Sequence, residues 1–274
     1  MNFADLHLHT VFSDGTYTPL ELISESEKVG LSAIAVVDHD TTSGIEPAIE
    51  IAKTKNIEVL PGIELSAEYE GLEIHILGYL IDYKHQGLVE KLAILKKNRI
   101  ERIYKIVEKL KDIGITLDPQ SVFDIAKQGT VGRLHIAKAL VLEGKVHSLS
   151  EAFQKYLGDK CPAFCLGFRF SPREAIKLVK AVGGIPVLAH PYTLNNDALI
   201  PLFIDYGLMG LEVYYPEHSQ SMINFYLNLA RTHDLLVTGG SDFHGDAKPE
   251  LKLGSLKVPY ELVEKLKAAK EKLL

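Results

Sequence analysis

Between residues 3 and 65, apolar runs of strand length alternate with stretches of helix length: 3–7, 20–29, 33–38, 45–53 and 57–65. This order of strand, helix and strand predicts a parallel sheet or barrel, because a crossover helix returns the chain before the next parallel strand begins. In such folds the working side chains gather at the carboxyl ends of the strands. Residues 72–81 read as another strand, with Ile74 and Ile76 alternating around His75. The alternation resumes at 172–182, 185–189, 199–206, 210–214, 221–233 and 235–238. A final helix over 260–274 aligns Leu262, Leu266, Ala269 and Leu273 on one face, for packing against the outside of the barrel.

The pattern between those two blocks is different. From about residue 84, long charged helices carry Leu88, Leu92, Leu95, Ile103, Val107 and Leu110 as a stripe, followed by helical stretches at 119–126, 132–142 and 150–156. We expect a barrel of residues 1–83 and 168–274, interrupted by an inserted helical subdomain at 84–167. A chain of 274 residues can bury a core of that size. With 46% hydrophobic and 24% charged residues, neither disorder nor a fibrous repeat is favoured.

The opening Met1-Asn2-Phe3-Ala4-Asp5 lacks the features of a secretory leader, so a cytoplasmic protein is expected. Apolar runs such as 33–37 are far shorter than the roughly 20 residues that span a bilayer, and no membrane segment is expected. A net charge of −6 disfavours a grip on a long DNA duplex and leaves a nucleotide-sized ligand open. The two cysteines, Cys161 and Cys165, are expected as free thiols.

The most informative segment for chemistry is Asp5-Leu6-His7-Leu8-His9. Residues two apart on an extended strand face the same side, so His7 and His9 can address one ion. Taken alone, such a pair is as readily structural as functional. The company matters more: Phe12-Ser13-Asp14-Gly15, Asp38-His39-Asp40, Gly62-Ile63-Glu64, His75, Ala189-His190-Pro191 and Gly240-Ser241-Asp242-Phe243-His244 each place polar groups in or just beyond an apolar strand. Asp14 before glycine could be turn chemistry, and His75 a satisfied core histidine. So many strand ends with the same character are more economically explained by one shared metal site, since ring closure would bring them together. Mixed imidazole and carboxylate ligation suits manganese, iron or zinc, with manganese favoured.

In these motifs, and in the helical insertion, the chain resembles the polymerase and histidinol phosphatase (PHP) family over essentially its whole length. The resemblance implies an α/β fold: a distorted (β/α)7 TIM-like barrel with an inserted α-helical subdomain, binding two to three divalent ions. It implies a first ion on His7, His9, Glu64 and Asp242. Glu64 would bridge to a second ion on His75 and His190, and a third would sit on Asp14, His39 and His244. The histidinol phosphatase branch has a histidine where this chain has Asp14, which makes the chain more similar to the branch acting on nucleotide phosphates or RNA 5′ ends.

Within the insertion, Gly129-Thr130-Val131-Gly132-Arg133-Leu134-His135 precedes a helical run. Helix starts offer free N–H groups and arginine a forked donor, so Arg133 and His135 are candidate substrate-phosphate contacts, against the plainer reading of an ordinary loop. The nucleotide-phosphatase branch that the chain resembles uses insertion residues in this way. Arg169 and His218 are weaker candidates as substrate contacts, His218 also as a proton donor to the leaving oxygen. Lys96, Lys97, Arg99, Arg102, Lys105 and Lys109 are interleaved with Glu101 and Glu108, and read as a solvated helix face more than an RNA track. Tyr214 and Tyr215 read as packing residues more than nucleobase stackers.

The expected activity is metal-dependent hydrolysis of phosphate monoesters of nucleotides, as a 3′,5′-bisphosphorylated nucleoside phosphatase or a 5′–3′ exoribonuclease on short RNA, through a hydroxide bridging two ions. The expected partner is a small phosphorylated substrate, without DNA duplex or membrane; nothing specifies a protein partner. The competing readings are histidinol phosphatase or another small-molecule phosphatase, a metallo-amidohydrolase, and a non-catalytic, metal-stabilised interaction module.

Overall fold

The computed structural model describes residues 2–273 apart from 128, 166, 168 and 257. In chain order its elements are β1 (Phe3–Leu8), α1 (Pro19–Lys28), β2 (Leu31–Val36), α2 (Ile45–Ala52), β3 (Glu58–Tyr69), β4 (Leu72–Tyr79), α3 (Gln86–Asp112), α4 (Pro119–Ala126), α5 (Arg133–Leu142), α6 (Leu149–Ala152), α7 (Pro172–Ala181), β5 (Ile185–Leu188), α8 (Ile200–Asp205), β6 (Gly210–Tyr214), α9 (Gln220–Thr232), β7 (Leu236–Gly239), β8 (Val258–Pro259) and α10 (Glu261–Glu271). Local chemistry sets several starts. Thr18 and Ser171 cap α1 and α7, with Glu21 and Glu174 completing reciprocal capping boxes and a proline as the first helical residue of each.

The strands form one sheet in the order β7-β6-β5-β4-β3-β2-β1-β8. Strands β1, β2 and β3 run parallel, as do β5, β6 and β7. The sheet curls until the segment after β7 meets β1: the His9 N–H donates to Phe243 O at 3.0 Å and the Phe243 N–H to His7 O at 3.3 Å. The result is a nearly closed, distorted barrel of seven strands, with the two-residue β8 laid antiparallel on the start of β1.

The distortion is concentrated at β4, which is antiparallel to both β3 and β5. No helix intervenes between β3 and β4. They form a hairpin turning at Glu70 and Gly71, both with positive φ (50° and 84°), so β3 extends to Tyr69 rather than stopping near Leu65.

A second irregularity aims the first motif. Against β2 the register of β1 slips between Asp5 and Leu8. Leu6 packs with Ala33, Ala35, Leu60, Leu77 and Val187, the inward set, whereas Leu8 packs with Leu22, Ile23 and Ala48 of the covering helices. The bulge therefore lets His7 follow Leu6 on the inner face while Leu8 still points outward. The closing helix departs from expectation: Leu262, Val263 and Leu266 of α10 join the inward cluster, and the helix meets β5, β7 and β8.

By internal contacts the chain divides into two compact units, Met1–Val89 with Arg169–Leu274, and Glu90–Phe168. The boundary falls within α3. The second unit is helical and has its own core, built on Ile103, Ile106, Leu110, Val122, Ile136, Leu140 and Leu157. Cys161 and Cys165 are free thiols in this unit. Among the described residues no helix is long and apolar enough to cross a membrane.

Candidate metal centre

The barrel brings all nine expected histidine, aspartate and glutamate side chains together at one end. His7 comes from β1 and His9 from just beyond its end, Asp14 from the following loop, His39 from beyond β2, Glu64 from β3, His75 from β4, His190 from beyond β5, and Asp242 and His244 from beyond β7. Among the described residues, three groups have ligand atoms within 4.8 Å of one another: His7, His9, Glu64 and Asp242; His9, Asp14, His39 and His244; and His39, Glu64 and His75. In the first, Glu64 Oε2 lies 3.3 Å from His7 Nε2 and 3.2 Å from His9 Nε2, and Asp242 Oδ1 lies 3.4 and 3.2 Å from the same nitrogens. In the second, Asp14 Oδ1 is 3.2 Å from His244 Nε2.

The third group differs from the set that the resemblance implies. His39 Nδ1 stands 3.2 Å from Glu64 Oε2, and His75 Nδ1 2.9 Å from Oε1. His190 lies beside it, with Nε2 3.3 Å from Glu64 Oε1 and 3.3 Å from His75 Nδ1. Glu64, His9 and His39 are thus each common to two groups.

Several features suit this cluster to cations. His7 Nε2, His9 Nε2, Asp14 Oδ1, His39 Nδ1, Glu64 Oε2 and His244 Nε2 are buried and make no hydrogen bond of acceptable geometry among the described residues. Buried polar atoms left without partners are costly, and a shared ion would satisfy them together. Two members also sit on strained backbone, His190 with φ 27° and Asp242 with φ 52°, as residues held for function often do.

Without a metal, protons and carboxylates balance one another. Burial lowers the His9 pKa, but the Asp242, Glu64 and Asp14 carboxylates outweigh it and carry the imidazole to about 9. Burial likewise opposes the His75 cation, yet Glu64 and Glu73 bring it to about 10. His7 is also raised, by Glu212, Glu64 and Asp242 against burial. His39 goes the other way, to about 3, because burial together with the charges of His9 and His75 prevails over Glu64 and Asp14. Glu64, Asp14 and Asp242 stay well below the usual carboxylate range; burial resists their ionisation, and the surrounding imidazoles, with Lys248 beside Asp242, overcome it.

A surrounding layer holds these ligands in place. Glu212, fully buried on β6, accepts from His7 Nδ1 at 2.9 Å and from the His190 backbone N–H at 2.8 Å. Tyr215 Oη and Lys248 Nζ donate to Asp242 Oδ2 at 2.9 and 3.1 Å. Asp38 accepts from the Thr10 N–H, the Thr10 hydroxyl and the Ser13 hydroxyl, which fixes the loop leading to Asp14. Gly240 is required by close approach, since a Cβ there would fall on the His7 backbone. Sequence reasoning missed Glu212, Lys248 and Tyr215 as parts of the site. Glu212 carried the signal already used for Glu64, a lone carboxylate in an apolar strand; Lys248 carried none.

The expected substrate contacts have more modest surroundings. Arg169 Nη2 pairs with Glu73 Oε2 at 2.7 Å, and Glu73 Oε1 lies 3.3 Å from His75 Nε2, so the arginine braces a metal-site histidine. In the helical unit, Arg133 Nη1 donates to Asp159 Oδ1 at 3.1 Å and its guanidinium lies over the Phe164 ring. His135 is buried, and its Nδ1 accepts from the Gly132 N–H at 3.1 Å, a capping role. His218 Nδ1 faces Val213 O at 2.8 Å and therefore carries the proton, leaving Nε2 as the acceptor. Burial pushes its pKa down, which favours an acceptor over the expected proton donor. Tyr215 is 5% exposed and its hydroxyl is engaged with Asp242, a role in the site beyond the expected packing.

Fold and site together define a barrel hydrolase dependent on metal ions. Residues 5–158 match the family model described as PHP domain. A 5′–3′ exoribonuclease of Haemophilus influenzae is 35% identical over 248 residues, covering 88% of this chain and 89% of its own. A 3′,5′-nucleoside bisphosphate phosphatase of Chromobacterium violaceum is 31% identical over 250 residues, covering 88% and 86%. A crystal structure of a candidate metal-dependent phosphoesterase from Bifidobacterium adolescentis aligns with a TM-score of 0.90 at 34% identity, covering 97% of this chain and 96% of that one. The chain belongs to the PHP family, and it is a metal-dependent hydrolase of phosphoric ester bonds.

Proposed function

We propose that the chain hydrolyses terminal phosphoesters of nucleotides, either 3′,5′-bisphosphorylated nucleosides or the 5′ ends of short RNA. The observation that carries this is the set of overlapping imidazole and carboxylate groups sharing Glu64, His9 and His39, in a chain whose relatives bear those two activities. His7, His9, Glu64 and Asp242 would hold one divalent ion, Glu64 with His75 and His190 a second, and Asp14, His39 and His244 a third. Manganese suits that mixed donor set, with iron and zinc as alternatives. When bound, such ions supply Lewis acidity, lowering the pKa of water and countering negative charge on the phosphoryl oxygens.

The protein's own contribution is orientation. Glu212 keeps the His7 proton on Nδ1, so that Nε2 offers its lone pair to the first group. Glu73 does the same for His75 from its Nε2 side. In the helical unit, Arg133 and the start of α5 form an anion seat for a substrate phosphate. His218, with its proton on Nδ1, serves as a hydrogen-bond acceptor toward substrate. A mononucleotide or short single strand fits a chain of net charge −6 better than a DNA duplex, and a cytoplasmic site of action goes with such substrates.

The test is a manganese-supplemented panel of a 3′,5′-bisphosphorylated nucleoside, a 5′-phosphorylated RNA trimer, histidinol phosphate and an amide substrate. Turnover of either nucleotide substrate, lost on metal stripping and restored by re-addition, is expected. Turnover of histidinol phosphate or the amide alone would refute the assignment.

A further inference from the structure

We infer that Lys248 is a substrate-binding residue whose ammonium holds an oxygen of the phosphoryl group under attack; this rests on the phosphoester activity proposed above. Its Nζ donates to Asp242 Oδ2 at 3.1 Å, and Tyr215 Oη donates to the same oxygen at 2.9 Å. The other oxygen of that carboxylate, Oδ1, faces His7 Nε2 at 3.4 Å, His9 Nε2 at 3.2 Å and His244 Nδ1 at 3.4 Å. The ammonium therefore stands on one side of a carboxylate whose opposite side belongs to the ligand groups. An ammonium has three N–H donors, and among the described residues Nζ has only this one partner. The Lys248 side chain is 37% exposed and that of Asp242 only 6%, so the lysine lies nearer the solvent than the carboxylate it meets.

The backbone beneath it is built for position. Gly245 has φ 64° and packs where a Cβ would fall on Thr16 Oγ1. The Asp246 N–H donates to Thr16 Oγ1 at 2.8 Å, the Thr16 N–H to His244 O at 3.1 Å and the Leu251 N–H to Lys248 O at 3.1 Å. This latch ties the lysine's loop to the loop carrying Asp14.

Charge then points to the kind of ligand. Asp14, Glu64 and Asp242 attract cations, and the charge of a lysine beside them, whatever its hydrogen bond does to orient Asp242, adds nothing to that attraction; once divalent ions occupy the groups, it adds repulsion. An incoming anion resolves that conflict, and a phosphate monoester has the charge and the oxygen acceptors to meet both the ions and the ammonium. Lys248 keeps its proton throughout and takes part in no bond change.

The experiment measures inorganic phosphate binding by calorimetry and by product inhibition, together with metal content, for manganese-loaded wild type, Lys248→Met and Lys248→Arg. We expect Lys248→Met to keep its metal and to bind phosphate about 10- to 100-fold more weakly, with KM for the nucleotide raised in parallel and Lys248→Arg recovering part of the loss. Phosphate affinity within about twofold of wild type would overturn the inference while wild-type turnover stands. So would a loss that follows loss of metal, which would make Lys248 a support for Asp242. Should Lys248→Met fail to fold, Lys248→Gln decides by the same phosphate measurement. Wild type that neither binds phosphate nor turns over a nucleotide would refute both the inference and the underlying activity.

Discussion

Replacing Glu212 by glutamine should weaken metal binding without touching a ligand. The carboxylate accepts from His7 Nδ1 at 2.9 Å through Oε1 and from the His190 N–H at 2.8 Å through Oε2, and it is fully buried. Glutamine has only one acceptor oxygen. Whichever way its amide turns, its NH2 group meets one of those two N–H donors. If His7 responds by moving its proton to Nε2, the nitrogen aimed at Glu64 and Asp242 loses its lone pair. If His190 is left unpaired instead, the strained backbone at φ 27° loses an anchor. A hydrogen bond to a charged group contributes about 1.5–3 kcal/mol, and loss of such an outer partner typically weakens metal affinity by about 10- to 100-fold. We therefore expect a weakening of that order, measured by competition with a chelating indicator, with thermal unfolding in chelator as the control for folding. Activity should return in large part at saturating metal. An affinity within about twofold of wild type would refute the orienting role.

Three further outcomes follow from the same geometry. Gly240→Ala places a methyl on the His7 backbone, and overpacking of about 1–3 kcal/mol should lower the melting temperature and metal content together; unchanged values of both would contradict the close approach. In the metal-free protein His9 and His75, with pKa near 9 and 10, and His7, also raised, hold protons at pH 7 that a metal must displace. Metal affinity should accordingly rise with pH up to about 9 to 10 and fall on acidification, and calorimetry in buffers of different ionisation enthalpy should register proton release on metal uptake. Arg169→Ala removes one partner of a partly exposed Glu73 that still faces His75, and so should change metal affinity and KM by less than about fivefold; a KM increase of more than about tenfold would place Arg169 on the substrate instead.

The site was more legible than the sheet around it. His7, His9, Glu64, His75, His190 and Asp242 stood out because strands write their faces with period two and because a polar group in or just beyond an apolar run needs a partner. Strand direction is not written that way. The Glu70–Gly71 turn was available as a hairpin signal, yet β3 looked finished at Leu65 because Ser66, Glu68 and Glu70 dilute its apolar pattern. The slip between Asp5 and Leu8 is set by pairing with β2 and leaves no mark on composition. Nor can spacing divide ligands among ions: His39 approaches both Asp14 and Glu64 only because of where its ring lands once the strands are assembled.

Barrel closure and the metal centre are one structural event. The backbone bonds that join β1 to the segment after β7 run between His9 and Phe243 and between His7 and Phe243, directly among the candidate ligands His7, His9, Asp242 and His244. Asp242 reaches its place with φ 52°, and such conformations cost on the order of 1–3 kcal/mol each. The unpartnered imidazole and carboxylate atoms add to that cost. A cation held by these candidate ligands would offset both penalties by linking residues far apart in the chain, so that metal binding and closure would stabilise each other. The outer supports fit the same logic: Glu212 from β6, Tyr215 just beyond it and Lys248 from the latched loop each hold a ligand at or near the closing edge, where strand pairing is sparsest and side chains must supply the order.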